Sequence, residues 1–222
     1  MEDIEPRTSL RRHPDLAQLV GLIIADYALL EFQAFILLAT ASDRPVGDLF
    51  AEFYGWRSIN NKREMALREA RPRAHPHLYE AIERTWRHFL AAAERRTEIA
   101  HCLFLAPNDG VLRMRLRNGR AWYEPFSEAV FHRTIRQFRI VAEEFGVCIT
   151  FAAGSRERLI QRLADIPRPR GIPLPDLSPG APPPSGSLGP NELDRIRRRL
   201  GLHRLIRDDF LTMQVRTDFQ LR

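Results

Sequence analysis

Arg96 and His101 are the two residues whose types and spacing could carry out chemistry. A histidine with an ordinary pKa of about 6.5 gains and loses a proton near neutral pH, so it can act as a general acid or base. An arginine is a permanent cation whose planar guanidinium can bind an anion with two parallel hydrogen bonds. The pattern indicates proton transfer beside a developing negative charge.

The geometry of an α-helix restricts how this pair can work. Five residues along an ideal helix rotate by about 140° and rise by about 7.5 Å. Arg96 and His101 therefore leave on different sides unless the helix ends between them, and a site completed by a second copy of the chain meets this constraint. The alternative to a catalytic site is an ordinary solvent-exposed helix face. Glu94, Glu98 and His101 lie along one helical face, and the helix dipole stabilises a histidine in the last turn.

Apolar periodicity, prolines and capping residues predict the helices that position this motif. The predicted helices cover residues 15–41, 45–53, 58–71, 76–102, 127–146 and 155–164. Ser58 and Ser127 are expected to be N-caps, and Gly146 is expected to end the fifth helix. The motif then falls in the last turns of the helix that begins at Pro76.

The remaining segments complete a mainly α domain organisation. Residues 111–117 alternate apolar and polar side chains before Asn118-Gly119, which predicts a small β-hairpin insertion in a helical domain over residues 1–165. Nine prolines and four glycines among residues 166–190 predict a linker. Residues 191–222 form a basic tail with helical apolar spacing, and 32 residues are too few to build a core alone. The tail must dock, dimerise or stay loose.

Charge and hydropathy restrict the partners and the compartment. Residues 1–165 carry 24 basic and 22 acidic side chains, so the strong basic face typical of duplex binders is not expected. Asp26 and Glu31 interrupt the apolar stretches of the first helix, which stay below the roughly 18 residues of a membrane span. The N-terminus lacks the apolar core of an export signal. We therefore expect a cytoplasmic protein with no membrane partner.

The Arg96-to-His101 motif resembles the signature of the HEPN superfamily, in which an arginine, usually a small polar residue and then a histidine follow one another with a spacer of four to six. The order of helices around it is also similar: a long apolar helix, a short helix ending in Phe53-Tyr54-Gly55-Trp56, a Ser-capped basic helix and the motif helix closed by Ile-Ala-His. The resemblance covers roughly residues 15–150 and implies a HEPN-like helical bundle.

The resemblance also implies a function. Proteins of this kind are metal-independent endoribonucleases, often toxins or antiviral effectors, that work without a cofactor as homodimers whose two motifs face one cleft. His101 would be the base or acid, and Arg96 would clamp the phosphate of an RNA substrate. An antitoxin or a nucleotidyltransferase-type protein is the implied protein partner.

Five further residues are candidates for supporting this pair. Thr97 and Glu98 lie between the arginine and the histidine, and Arg95 would replace Arg96 if the spacer were five residues. Asp26 and Glu31 are carboxylates in the most apolar helix. They are either partners of the Arg96–His101 site or residues at the edge of a core helix.

Other features favour different functions. Thr97 replaces the more usual asparagine, and Cys102 replaces the glycine that often follows the histidine in similar sequences. Leu103 stands where the subgroup that pairs with nucleotidyltransferases tends to have tyrosine. These departures favour a non-catalytic HEPN-like module that binds RNA or a protein. A transcription regulator is a third hypothesis, suggested by the charged tail alone, and no helix-turn-helix spacing supports it.

Two further chemical features are interpreted as structural. His75 and His77 flank Pro76 at a spacing that could bind a metal, but no further cysteine or histidine is near in sequence, so a helix start is the favoured interpretation and no metal site is predicted. Cys102 and Cys148 are too few for a disulfide framework and are expected to be small buried apolar residues.

Overall fold

The computed structural model describes residues 13–100, 103–105, 112–117, 120–125, 127–166 and 190–201. Over these residues the chain is mainly α, as its sequence predicts. The helices are α1 (Pro14–Ala41), α2 (Val46–Gly55), α3 (Ile59–Ala70), α4 (Pro76–Ala100), α5 (Glu128–Ala153), α6 (Arg156–Ala164) and α7 (Pro190–Arg199). The strands are β1 (Leu103–Leu105), β2 (Leu112–Arg117) and β3 (Arg120–Pro125).

Prolines and serines set the starts of several helices. Helix α4 begins with Pro76, where a missing backbone N–H costs nothing. The Ser155 hydroxyl accepts a hydrogen bond from the backbone N–H of Arg158 at 3.2 Å, which caps α6. Ser58 has the extended backbone of an N-cap, but its side chain makes no capping hydrogen bond. The predicted start of α3 is therefore correct within a residue, and the predicted cap interaction is wrong.

Helix α5 continues through the glycine that was expected to end it. Gly146 lies inside the helix, which ends at Ala153, and Gly154 follows with a left-handed φ of 70°. A glycine inside a helix costs about 1 kcal/mol relative to alanine. Burial of the side chains on both sides of Gly146, which include Phe145 and Cys148 at 0% exposure, offsets that cost.

The three strands form one antiparallel sheet in the order β1-β2-β3. Leu103 pairs with Met114 across β1 and β2, and Arg117 pairs with Arg120 across β2 and β3. Residues 118 and 119, where a turn is predicted from sequence, lie outside the described residues.

Two compact units divide the chain. The first takes its described residues from within 1–31 and 89–141, and the second takes them from within 32–88 and 142–222. In the first unit the largest fully buried side chains come from α1, α4 and α5, and they are Ile23, Leu30, Phe89, Phe131 and Phe138. The motif residues of α4 belong to this unit.

The second unit has its own aromatic core. Phe35 makes an edge contact with Phe50, with ring centroids 5.2 Å apart, and Trp86 makes a similar contact with Phe145 at 6.0 Å. Helix α7 belongs to this unit. Ile196 in α7 is 5% exposed, and Leu200, directly after the helix, is 2% exposed. The described part of the tail is therefore docked by its apolar face.

Helix α1 is more apolar than the sequence argument allows for. Its 28 residues are long and apolar enough to cross a membrane, and no other helix among the described residues passes that test. The sequence expectation concerned charge-free stretches alone, and an 18-residue window of α1 that includes Asp26 and Glu31 still qualifies by length and composition. The core helix of a soluble protein passes the same test.

One face of α1 stays exposed. Leu22 and Leu29, on this face, are 45% and 54% exposed. Leu22 and Leu29 are seven residues apart and share a face, whereas Ile23 and Leu30 on the neighbouring face are buried. Helix α1 therefore buries one side and leaves an apolar strip uncovered on the other.

Candidate active site at the end of α4

Arg96 lies in the last two turns of α4, in the first unit. Its side chain is half-buried, and its buried Nε has no hydrogen-bond partner among the residues that the structure describes. Arg96 forms no ion pair with another described residue. A guanidinium without a neighbouring carboxylate keeps its full charge available for an anion.

The aromatic ring of Tyr27, in α1, lies under the Arg96 side chain. The Arg96 Cζ is 5.4 Å from the centroid of the Tyr27 ring, within the range of a cation–π interaction. Tyr27 stacks on Phe89 with centroids 5.6 Å apart and an interplanar angle of 21°, and Phe138 contacts it at 6.2 Å. Arg96 is therefore held against a ring that is itself fixed by two core aromatics.

The charges around Tyr27 include one of the predicted supporting residues. Burial raises the pKa of the Tyr27 hydroxyl to about 12, the negative charge of Glu31 acts in the same direction, and the positive charge of Arg96 acts against both. Glu31 and Arg96 are thus both close enough to Tyr27 to change its ionisation. The structure brings these two predicted site residues to one tyrosine.

Asp26 has a different environment. Burial raises the pKa of this carboxyl, and no charge of a described residue contributes to that shift. Among the described residues Asp26 has no hydrogen-bond or ion-pair partner. Its part in the site stays a prediction.

The other motif residues are at the surface. The Arg95 Nη1 is 3.0 Å from the Glu98 Oε2, an (i, i+3) pair on the exposed face of α4, and Thr97 is exposed. Surface pairs of this kind contribute about 0.3–0.5 kcal/mol. His101, the predicted acid or base, lies outside the described residues.

Sequence reasoning missed Tyr27, whose partner Arg96 is distant in the chain. The available signal was weak: an aromatic residue in the long apolar helix, next to Asp26 and one turn before Glu31. Aromatic residues in such helices are usually core residues, and only its position against Arg96 sets this one apart.

A second polar cluster lies in the second unit and was also missed. The Glu144 side chain is 0% exposed, His88 Nδ1 is 2.7 Å from one of its carboxylate oxygens, and Arg199 of α7 donates to the other. Arg84 donates to the backbone carbonyl of Arg199. The carboxylate thus orients the imidazole and anchors the tail helix. The signal in the sequence was an acidic residue on the apolar stripe of α5.

The two histidines at the start of α4 interact with each other there. The His77 backbone N–H donates to His75 Nδ1 at 3.3 Å, and the two rings are 5.3 Å apart. Within the part of the chain that the structure describes, no group of three or more His, Cys, Asp or Glu side chains could hold a metal ion.

Comparisons of the chain with known proteins found no relative. No protein-family model, no curated protein and no solved structure matches the chain.

Proposed function

We propose that this chain is a metal-independent endoribonuclease of the HEPN type, built on a HEPN-like helical bundle with a β-hairpin insertion. The observation that carries the proposal is the environment of the Arg96 guanidinium. Its guanidinium has no carboxylate partner among the described residues, is held against Tyr27 and precedes His101 by five positions. A cation without a direct carboxylate partner suits a site that binds phosphate.

The proposed reaction uses the RNA's own 2′-hydroxyl as the nucleophile. His101 accepts the 2′-hydroxyl proton while the 2′-oxygen attacks the adjacent phosphorus, and Arg96 stabilises the charge on the pentavalent phosphate. The bond from phosphorus to the 5′-oxygen breaks, and that oxygen takes up a proton. The products are a 2′,3′-cyclic phosphate and a 5′-hydroxyl, and no metal or cofactor takes part.

A homodimer is the proposed working form. The HEPN resemblance implies a dimer whose two motifs face one cleft, and a second motif there would supply a further acid or base. The uncovered strip on α1, where Leu22 and Leu29 are 45% and 54% exposed, is a suitable contact surface. Sedimentation at micromolar concentration tests this, and a 25.7 kDa monomer that cleaves RNA would contradict the composite site.

The biological setting follows from the same proposal. A ribonuclease of this type acts in the cytoplasm as a toxin or antiviral effector, with an antitoxin or a nucleotidyltransferase-type protein as its partner and no membrane. Co-purification from the native host, followed by sequencing of the RNA ends that appear on expression, identifies the partner and the target.

The test of the activity is RNA cleavage by the purified full chain. Cleavage should persist in EDTA and leave 2′,3′-cyclic phosphate ends. It should stop when the 2′-hydroxyl beside the scissile phosphate is replaced by hydrogen, because that hydroxyl is the nucleophile. A requirement for Mg²⁺ would overturn the proposal.

Substitutions then assign the roles. His101→Ala and Arg96→Ala should each lower the rate by about 10²-fold or more with folding intact. Arg96→Lys should restore little activity, because a point charge does not reproduce the bidentate fork. Arg95→Ala tests the spacing: if this substitution abolishes cleavage and Arg96→Ala does not, the motif begins one residue earlier.

The alternative is a non-catalytic HEPN-like module that binds RNA or a protein. Two observations favour it: Thr97 and Cys102 depart from the usual motif, and residues 1–165 have a net charge of only +2. RNA binding that Arg96→Ala weakens, without cleavage under any condition, is the result that selects this function.

A further inference from the structure

Arg96 has a long side chain whose position is set by an aromatic surface rather than by a carboxylate. The guanidinium carbon lies 5.4 Å from the Tyr27 ring centroid, and no described residue pairs with it. The Nε end is buried. The other guanidinium nitrogens of Arg96 carry the donors that could form two parallel hydrogen bonds to a phosphate.

Tyr27 is itself immobilised. Phe89 stacks on it nearly parallel, at 5.6 Å and 21°, and Phe138 contacts it at an angle of 55°. Phe89 and Phe138 are 0% and 1% exposed. The surface under Arg96 is therefore part of the core of the first unit, and its position is as fixed as that core.

The hydroxyl of Tyr27 is a poor candidate for the chemistry itself. Its pKa is raised to about 12, so the phenol stays protonated throughout the neutral range. The ring face contacts Arg96, and this contact needs no ionisation. A role through Arg96 therefore explains the arrangement better than proton transfer by Tyr27.

From this packing we propose that Tyr27 is a positioning residue that holds the Arg96 guanidinium in place for an RNA phosphate. The proposal rests on the proposed ribonuclease function. A held guanidinium loses less freedom when it binds the phosphate, and the effect is greatest where charge develops in the transition state. Tyr27 should therefore affect kcat more than KM.

The experiment compares two substitutions at one position in the full-length chain. Tyr27→Phe keeps the ring and should retain kcat within about threefold, whereas Tyr27→Leu keeps apolar volume without the π face and should lower kcat by roughly tenfold. Tyr54→Leu is the matched control, since Tyr54 lies under another cation, Lys62 Nζ, at 5.2 Å in the second unit. This control should cleave like the wild type.

A double substitution separates positioning from general destabilisation. If Tyr27 acts through Arg96, Tyr27→Leu should have no further effect on the residual rate of Arg96→Ala. A full additional loss in that background would show that Tyr27 acts independently of Arg96. Equal rates for wild type and Tyr27→Leu, or equal losses for Tyr27→Phe and Tyr27→Leu, would also overturn the proposal.

An NMR measurement tests the contact between Arg96 and the Tyr27 ring independently of RNA cleavage. The Arg96 Hε resonance, assigned with Arg96→Lys, should show a ring-current shift that persists in Tyr27→Phe and disappears in Tyr27→Leu. If the wild type cleaves no RNA but this shift is present, the ribonuclease function has failed while the restraint on Arg96 holds. If the shift is absent, the positioning role of Tyr27 is wrong whatever the activity.

Discussion

Arg162 of α6 and Ala39 of α1 are joined by a hydrogen bond in which the guanidinium Nε donates to the backbone carbonyl at 2.8 Å. The Nη2 of the same side chain donates to the carbonyls of Ser42 and Arg44. Ala39 lies in the last turn of α1, where carbonyls have no partner within the helix. One side chain from α6 thus satisfies the end of α1 and the bend that follows it.

We expect Arg162→Ala to lower the free energy of unfolding by about 1–3 kcal/mol, because it leaves three partly buried carbonyls without their donor. Arg158→Ala is the control on the same helix. Arg158 pairs with the exposed Asp43, and its loss should cost less than about 0.5 kcal/mol. Urea denaturation of both variants measures the difference, and equal losses would contradict the capping role.

The ion pair between Arg199 and Glu144 should anchor the tail helix. In Arg199→Ala the completely buried carboxylate of Glu144 keeps His88 as its one partner among the described residues, so we expect a loss of about 2 kcal/mol. Arg198→Ala removes the same charge from the exposed neighbouring position and should have little effect. Thermal unfolding compares them, and an unchanged Tm in Arg199→Ala would mean that this ion pair does not anchor α7.

Asp26 should reduce stability at neutral pH. Burial raises the pKa of Asp26 in the folded state above its value in the unfolded state, so ionisation of the folded protein is disfavoured. Stability therefore falls as the pH rises from the unfolded-state pKa through the folded-state pKa. Because Asp26 is only partly buried, solvent weakens this effect, and Asp26→Asn should raise Tm slightly, by about 1 °C or less at pH 7. The gain should disappear near pH 3, where both states are protonated. A lower Tm at pH 7 would instead indicate that the charged form has a partner and belongs to the site.

The thiol of Cys148 should be unreactive in the folded protein. It is 0% exposed and contacts the Thr85 hydroxyl at 3.6 Å, and burial raises its pKa to about 12, so almost no thiolate is present at pH 8. With Cys102→Ser removing the other cysteine, labelling with a thiol reagent should follow the global unfolding transition in urea. Rapid labelling without denaturant would show that this part of the second unit opens locally.

The helices could be predicted from the sequence to within a few residues, because prolines and apolar periodicity act locally. Gly146 was misjudged because its local cost is offset by burial of Phe145 and Cys148, which depends on the whole unit. In the candidate site, the sequence suggested Arg96 and Glu31 as candidates, but it did not predict that Arg96 of α4 would lie against Tyr27 of α1, 69 residues earlier in the chain. No periodicity within one helix carries that information.

The same limit applies to the tail. Its apolar spacing showed that it needed a partner, but not that the partner would include a buried carboxylate on α5. A lone acidic residue on an apolar stripe is ambiguous until its cation is located. Arg199 is 55 residues beyond Glu144, on the far side of the proline-rich segment.

During synthesis, the residues that pack against the two ends of α1 are translated at very different times. Phe35 contacts Phe53, which follows within 20 residues, whereas the Tyr27 ring needs Phe138, roughly 110 residues later. At about 5–20 residues per second the first contact becomes available within a few seconds, and the second only after roughly 6–20 seconds. The N-terminal half of an exceptionally apolar helix therefore stays incompletely covered until α5 has been translated. The yield of folded protein should depend on chaperone supply and on translation speed between the codons for α1 and α5.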